Sequence, residues 1–68
     1  MLRLVACKNP NVIVEVKVYH NSEFLGYASM LEFGFIGGSE QVFDKLNEVQ
    51  LKTIEDRLCR MWVNKAGY

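Results

Sequence analysis

The sequence contains few of the residues from which catalytic and metal sites are usually built. Its 68 residues include one histidine, one proline and two cysteines. A Ser-His-Asp arrangement has no support, because His20 stands alone and no nucleophile motif accompanies it. A structural zinc site needs three or four ligands at suitable spacing, whereas Cys7, His20 and Cys59 are scattered singly. We therefore predict no metal, no cofactor and no enzymatic activity.

The charge balance and the short apolar runs argue against further classes. Eight lysines and arginines balance eight aspartates and glutamates, without the clustered basic excess of most nucleic-acid domains. No apolar run approaches the roughly 18 residues that a membrane span requires. Residues 1–6 are too short for the core of a signal peptide, and Lys8 soon follows. Because Cys7 and Cys59 lack the spacing of a disulfide framework, we expect free thiols and a cytoplasmic location.

The glycines between residues 32 and 38 do not form a phosphate-binding motif. No Lys-Ser or Lys-Thr follows them, and their spacing does not match GxGxxG. We predict instead a connection that ends the sheet, in which flexible glycines let the backbone bend. Phe33, Phe35 and Ile36 would then tuck into the core.

A run of alternating valines is the strongest strand signal in the chain. Residues 12–20 place β-branched side chains on one face and Glu15 and Lys17 on the other. Residues 2–8 are interpreted as an earlier strand, joined to this one by the turn signal at residues 9–11. Asn21 and Ser22 form a two-residue turn into a third strand. The prediction is an antiparallel meander with strands at about 2–8, 12–20 and 23–32.

The turn at residues 21–22 also predicts a register for this hairpin. If the pairing continues without interruption, Leu25, Tyr27 and Leu31 complete the valine face. The reverse face then carries four large apolar side chains, namely Ile13, Tyr19, Phe24 and Met30. Exposed apolar patches of this kind tend to mark interaction sites.

The last thirty residues are predicted to form two helices rather than one. Ser39 is a good N-cap residue for the first. In a continuous helix the apolar stripe would not stay in place, because Leu58 and Trp62 rotate well away from Leu46. We therefore predict a short helix at about 39–46 and a longer amphipathic one at about 48–64. A continuous, bent helix is the alternative.

The proposed second start has its own capping signal. Asn47 would be the N-cap, and Gln50 would complete a relaxed capping box. Leu46 would pack on Leu51 as a hydrophobic staple. The fold class is thus a single small α+β domain over residues 1–68, in which the helices pack on one face of a three-stranded sheet.

Half of the residues are hydrophobic, which is rich for so short a chain. A chain of this length buries only about 60% of the surface that it exposes when unfolded. We therefore expect some apolar side chains to remain outside the core and to form an interaction surface. We predict a small protein-binding module, an adaptor or an inhibitor that occludes a larger protein, of a size common among viral and mobile-element proteins. It could also form a homodimer. The candidate partner-binding residues are Ile13, Tyr19, Phe24, Met30, Phe35 and Trp62.

Two alternatives stay open at this point. Nucleic-acid binding would place basic residues of the long helix on phosphates and stack bases on the sheet aromatics. The basic residues concerned are Lys52, Arg57, Arg60 and Lys65. A small enzyme centred on His20 is the least favoured, because a hairpin tip seldom provides a cleft.

Overall fold

The computed structural model describes residues 1–7, 14–32 and 35–67, with side chains described through Asn64. Its elements are β1 (Leu2–Cys7), β2 (Val14–His20), β3 (Glu23–Glu32), β4 (Phe35–Gly38), α1 (Glu40–Lys45) and α2 (Glu48–Gly67). The four strands form one antiparallel sheet in the order β1-β2-β3-β4. This is the predicted α+β class, with one strand more than predicted. The predicted strand residues 8, 12 and 13 lie outside the described residues.

The strand missing from the prediction is β4. Its residues Phe35–Gly38 pair with β3, with Gly38 opposite Ala28 and Ile36 opposite Met30. The prediction of a connection there was wrong because two of the four residues are glycine, which is depleted in strands and gives no alternating pattern. The long third strand supplies the pairing partner that this short segment needs.

The β2–β3 hairpin turns at Asn21 and Ser22, as predicted. Both residues have positive φ, 53° and 71°, which are the signs required of both central residues in a type I′ turn. The predicted pairing holds next to the turn, where His20 lies opposite Glu23. Asparagine tolerates this left-handed conformation well, whereas serine adopts it less readily.

Beyond the turn, the predicted register is wrong by one residue. Tyr19 lies opposite Phe24, but Val18 lies opposite Gly26, so that Leu25 is an extra residue in β3. Such a bulge exchanges the two faces for every later residue of the strand. Met30, predicted on the reverse face, is therefore fully buried, and Tyr27 and Leu31, predicted in the core, are exposed.

At Gly26, next to the bulge, Ser39 approaches β3 closely. The φ of Gly26 is +136°, and a Cβ there would overlap the side chain of Ser39. Ser39 N donates to the carbonyl of Tyr27 at 2.8 Å, and Tyr27 N donates to the Ser39 hydroxyl oxygen at 3.0 Å. The Ser39 carbonyl accepts from Val42 N at 3.0 Å. Ser39 thus occupies the predicted N-cap position of α1, but its side chain bonds to the sheet and makes no capping hydrogen bond.

The break between the two helices is present where it was predicted. Asn47 N donates to the side-chain oxygen of Gln50 at 3.0 Å, and Gln50 N donates to Asn47 Oδ1 at 2.9 Å. These reciprocal bonds form a capping box that starts α2. Leu46 is buried, and Leu51 packs against the core from the first turn of α2.

Both helices cover one face of the sheet. The core contains the predicted valines of β2 together with residues of β3 and both helices. Its buried members are Val14, Val16, Val18, Leu25, Ala28, Met30, Val42, Leu46, Ile54 and Leu58. We call this the covered face and its opposite the outer face. Within the described part of the chain, no helix is long and apolar enough to cross a lipid bilayer.

Candidate functional site

The outer face of the sheet is built from the residues that alternate with the buried ones. In β1 and β2 these include Arg3 opposite Tyr19 and Val5 opposite Lys17. Among the described residues, no helix packs on this side, since both helices contribute to the core beneath the opposite side. The outer face is therefore a sheet surface that no described helix covers.

Three aromatic rings lie together on the outer face, and we call them the aromatic cluster. The ring centroids of Tyr19 and Phe24 are 5.3 Å apart, and those of Phe24 and Tyr27 are 5.5 Å apart with an interplanar angle of 85°. Edge-to-face contacts at such distances are favourable, because the positive ring edge meets the negative ring face. The three rings therefore hold each other in position on the sheet.

The bulge at Leu25 explains why the cluster exists. Phe24 lies before the bulge and Tyr27 after it, so the two residues share a face although three positions separate them. Without the extra residue, Tyr27 would lie among the valines of the core. Phe24 is 45% exposed and Tyr27 is 40% exposed, so much of each ring meets water.

Arg3 extends the aromatic cluster with a positive charge. Its guanidinium carbon lies 6.0 Å from the centroid of the Tyr19 ring, at the limit of a cation–π contact. Beside it is a depression of about 240 Å³, lined by Met1, Arg3, Tyr19, Asn21 and Ser22. The turn closes this depression, because the N-terminal ammonium of Met1 donates to Asn21 Oδ1. The site combines apolar rings with a planar cationic donor.

The other predicted partner-binding residues do not join this cluster. Ile13 lies outside the described residues. Met30 is in the core, as noted above. Phe35 is 69% exposed at the start of β4, and Trp62 is half-buried against the core, where it serves packing. Tyr27 was missed as a candidate, and only the bulge-permitting Gly26 beside it signalled a change of face.

His20 lies on the covered side rather than in a cleft. Its Nε2 is 3.2 Å from Nε2 of Gln50, the residue that closes the capping box of α2. Glu23, which lies opposite His20 in the hairpin, forms an ion pair with Lys45 at 3.6 Å. His20 therefore links the hairpin to α2.

The basic residues of α2 do not share a surface with the aromatic cluster, because α2 packs on the covered face. Lys52 contacts Glu55 at 3.2 Å and Asp56 at 3.9 Å. The hydrogen bond to Glu55, together with the charges of both carboxylates, raises the pKa of Lys52. Arg57 and Arg60 are exposed on the same helix, and the side chain of Lys65 is outside those described. The sheet therefore lies between the aromatic cluster and the described helix cations, Lys52, Arg57 and Arg60.

The two cysteines are free thiols, and both are half-buried. Cys7 Sγ lies 3.7 Å from the carbonyl oxygen of Val5 in its own strand, and Cys59 packs on the core from α2. In the described ranges, no group of three or more histidine, cysteine, aspartate or glutamate side chains could hold a metal ion.

Comparison of the chain with protein-family models, with curated proteins and with solved structures found no match. Function must therefore be argued from the geometry of this chain itself, and the aromatic cluster is its most distinctive surface.

Proposed function

We propose that this chain is a small protein-binding module, an adaptor or inhibitor, that engages a larger protein through the aromatic cluster. One observation carries the proposal. Tyr19, Phe24 and Tyr27 form a mutually packed group of rings on a sheet face that no described helix covers. Aromatic residues dominate the energetics of protein interfaces, because they bury a large rigid area at a low cost in side-chain entropy.

The energetics favour this use of the rings over a purely structural one. Burying apolar surface contributes about 25 cal/mol per Å², so rings that stay nearly half exposed leave much of their stabilising capacity unused. A partner that covers Phe24 and Tyr27 would recover it. Cross-strand aromatic pairs contribute only about 0.2–1 kcal/mol to the sheet itself.

The charge next to the rings indicates the chemistry of the partner. Arg3 presents several donors in a planar fork, which matches a carboxylate better than any neutral group. Lys17 lies two residues along β2 from Tyr19 on the same face. The partner surface that fits is an apolar or aromatic segment that carries an acidic side chain. The free thiols of Cys7 and Cys59 fit a reducing, cytoplasmic setting for this interaction.

Affinity capture with a matched control tests the proposal. The chain should retain one stoichiometric partner from host lysate, and binding should be reproduced with that partner purified. Tyr19→Asp combined with Phe24→Asp should abolish both while the circular dichroism spectrum stays native. The control is Val49→Asp, because Val49 is 75% exposed on α2, on the other side of the molecule. Equal binding by the folded outer-face variant and the wild type would refute this surface.

Single-stranded nucleic acid is a second candidate for the same face. Exposed sheet aromatics can stack bases, and Arg3 and Lys17 could contact phosphates beside them. Glu15, on the same face of β2, opposes phosphate binding. Titration with labelled single strands at low and high salt separates the candidates: phosphate contacts give affinity that falls steeply with salt. Absence of salt-sensitive binding eliminates the nucleic-acid alternative.

A further inference from the structure

The free edge of β1 differs from the other edge of the sheet. β4 is four residues long, contains two glycines and has an irregular register. Short and irregular edge strands hinder the addition of another strand. β1 is six residues long and pairs with β2 in an unbroken register. It contains no proline, and its one charged side chain, Arg3, lies on the outer face rather than along the edge. Among the described residues, no strand or helix pairs with its free side.

One hydrogen bond identifies the backbone groups that point out of this edge. The carbonyl of Met1 accepts from Asn21 N at 2.9 Å, one step beyond the Leu2–His20 pair. In an antiparallel ladder, residues bonded to the neighbour alternate with residues whose N–H and C=O point away. The odd-numbered residues 1–7 therefore bond to β2. Leu2, Leu4 and Ala6 direct their amides and carbonyls outward.

We propose that a second copy of this chain pairs antiparallel with β1, about a two-fold axis at Leu4. Leu4 would lie opposite Leu4 of the second copy, and Leu2 opposite Ala6. Because each of the three outward residues exchanges two bonds, this register forms six backbone hydrogen bonds and produces one eight-stranded sheet. This inference is independent of the proposed function.

The side chains fit this symmetric arrangement. Leu2 and Leu4 are half-buried beside the core and stand at the edge on the covered side. A second copy would place its own Leu4 against Leu4 and its Ala6 against Leu2. On the outer face, Arg3 would lie opposite Val5 rather than opposite another arginine, so the pairing brings no like charges face to face. A second copy of the chain can therefore pair with this edge without placing like charges opposite each other.

The arrangement places the two aromatic clusters on the same side of the dimer. Tyr19 in β2 and its counterpart would be separated by three strand spacings across the sheet, which is about 14 Å, and by two residues along the strands. Each Arg3 would lie between its own Tyr19 and Val5 of the second copy. A dimer of this form would present two copies of the outer face in one continuous surface.

The oligomeric state and amide exchange test the pairing together. Sedimentation equilibrium from about 1 μM to about 1 mM should show the mass rising from 7.8 kDa toward twice that value. Over the same range, the amides of Leu2, Leu4 and Ala6 should gain at least about tenfold protection from hydrogen exchange. The amides of Arg3 and Val5, already bonded to β2, should change little. A monomer throughout this range overturns the proposal.

Backbone variants then identify the interface. Ligation of residues 1–6 to a fragment beginning at Cys7 allows N-methylation of Leu4, which removes the outward donor and keeps the side chain. Ala6→Pro removes another outward donor, and Ala6→Val is its control with the amide intact. We expect N-methyl-Leu4 and Ala6→Pro to be folded monomers, and Ala6→Val and the unmethylated ligation product to dimerise. Tyr19→Asp plus Phe24→Asp should also dimerise. Dimers of both backbone variants, or loss of the dimer in the double aspartate variant, would place the interface elsewhere.

Discussion

The two faces of the sheet both carry large apolar side chains, but their surroundings are opposite. The covered face packs Val16, Val18 and Met30 beneath the helices until none of them meets solvent. The outer face carries Tyr19, Phe24 and Tyr27, which contact one another and remain partly exposed. The covered face has aliphatic side chains that pack with residues of both helices, whereas the outer face interleaves its rings with the charged side chains of Arg3, Glu15 and Lys17.

A single inserted residue assigns the side chains of β3 to these faces. The bulge at Leu25 lets that leucine and later Met30 point toward the helices, while Phe24 and Tyr27 point away. Gly26 makes the bulge compatible with the close approach of Ser39. The distribution of β3 side chains between the two faces therefore depends on one local irregularity, and substitutions can test it.

The largest expected effect comes from truncating a buried side chain of β3, compared with truncating its exposed neighbour. Met30→Ala should destabilise the fold by about 2–5 kcal/mol, because it leaves a cavity in the core. Leu31→Ala, at a side chain that is 60% exposed, should change stability by no more than about 0.5 kcal/mol. Urea unfolding followed by circular dichroism measures both. An uninterrupted hairpin register predicts the reverse ranking, so that outcome would eliminate the bulge.

The next effect concerns the contact that the bulge allows. Gly26→Ala should cost about 2–4 kcal/mol, because its backbone conformation disfavours a side chain and the new Cβ would overlap Ser39. Gly37→Ala is the matched control, since a Cβ there has no neighbour within 4 Å. The same unfolding experiment compares them. Equal losses at the two glycines would contradict the packing of Ser39 against β3.

The sequence supports some of these features better than others. The valine alternation, the turn at residues 21–22 and the helix break at Asn47 were predictable, because each depends on local chemistry written in adjacent residues. The bulge was not, because the sequence around Leu25 is compatible with either register and the choice follows from long-range packing of α1 and Ser39. β4 was missed for the same reason, since its glycines form a strand only beside β3.

The candidate site was likewise predictable before the bulge and not after it. Tyr19 and Phe24 lie before the bulge, and their shared face follows from the turn. Tyr27 and Met30 lie after it, and their predicted positions were exchanged. Arg3 could not be placed beside Tyr19 without the β1–β2 register, which the imperfect alternation of residues 2–7 does not define.

A smaller effect tests how α2 is held over the covered face. Asn47→Ala removes the acceptor for Gln50 N and should destabilise the fold by about 1 kcal/mol. Asn47→Asp keeps a capping oxygen and should restore most of this loss. Thermal unfolding of the two variants measures the difference. If alanine and aspartate gave the same stability, the capping box would contribute nothing to the position of α2.

The smallest effect is a gain at the turn that both faces share. Ser22 has a φ of 71°, which glycine adopts without strain. Ser22→Gly should stabilise the protein by about 0.5–1 kcal/mol, because relief of about 1–2 kcal/mol of left-handed strain outweighs the greater freedom of glycine in the unfolded chain. A urea midpoint that rises without a change in slope would verify it, and a lower midpoint would argue against a type I′ turn.

The central claim is that the outer-face rings serve binding, whereas the covered face serves stability. Phe24→Ala combined with Tyr27→Ala tests it most directly, when urea unfolding and binding to the purified capture partner are measured on the same sample. We predict a loss of about 0.4–2 kcal/mol in unfolding free energy, because two ring pairs worth about 0.2–1 kcal/mol each are removed, together with loss of binding. A loss of several kcal/mol, or unchanged binding by the folded variant, would contradict the claim.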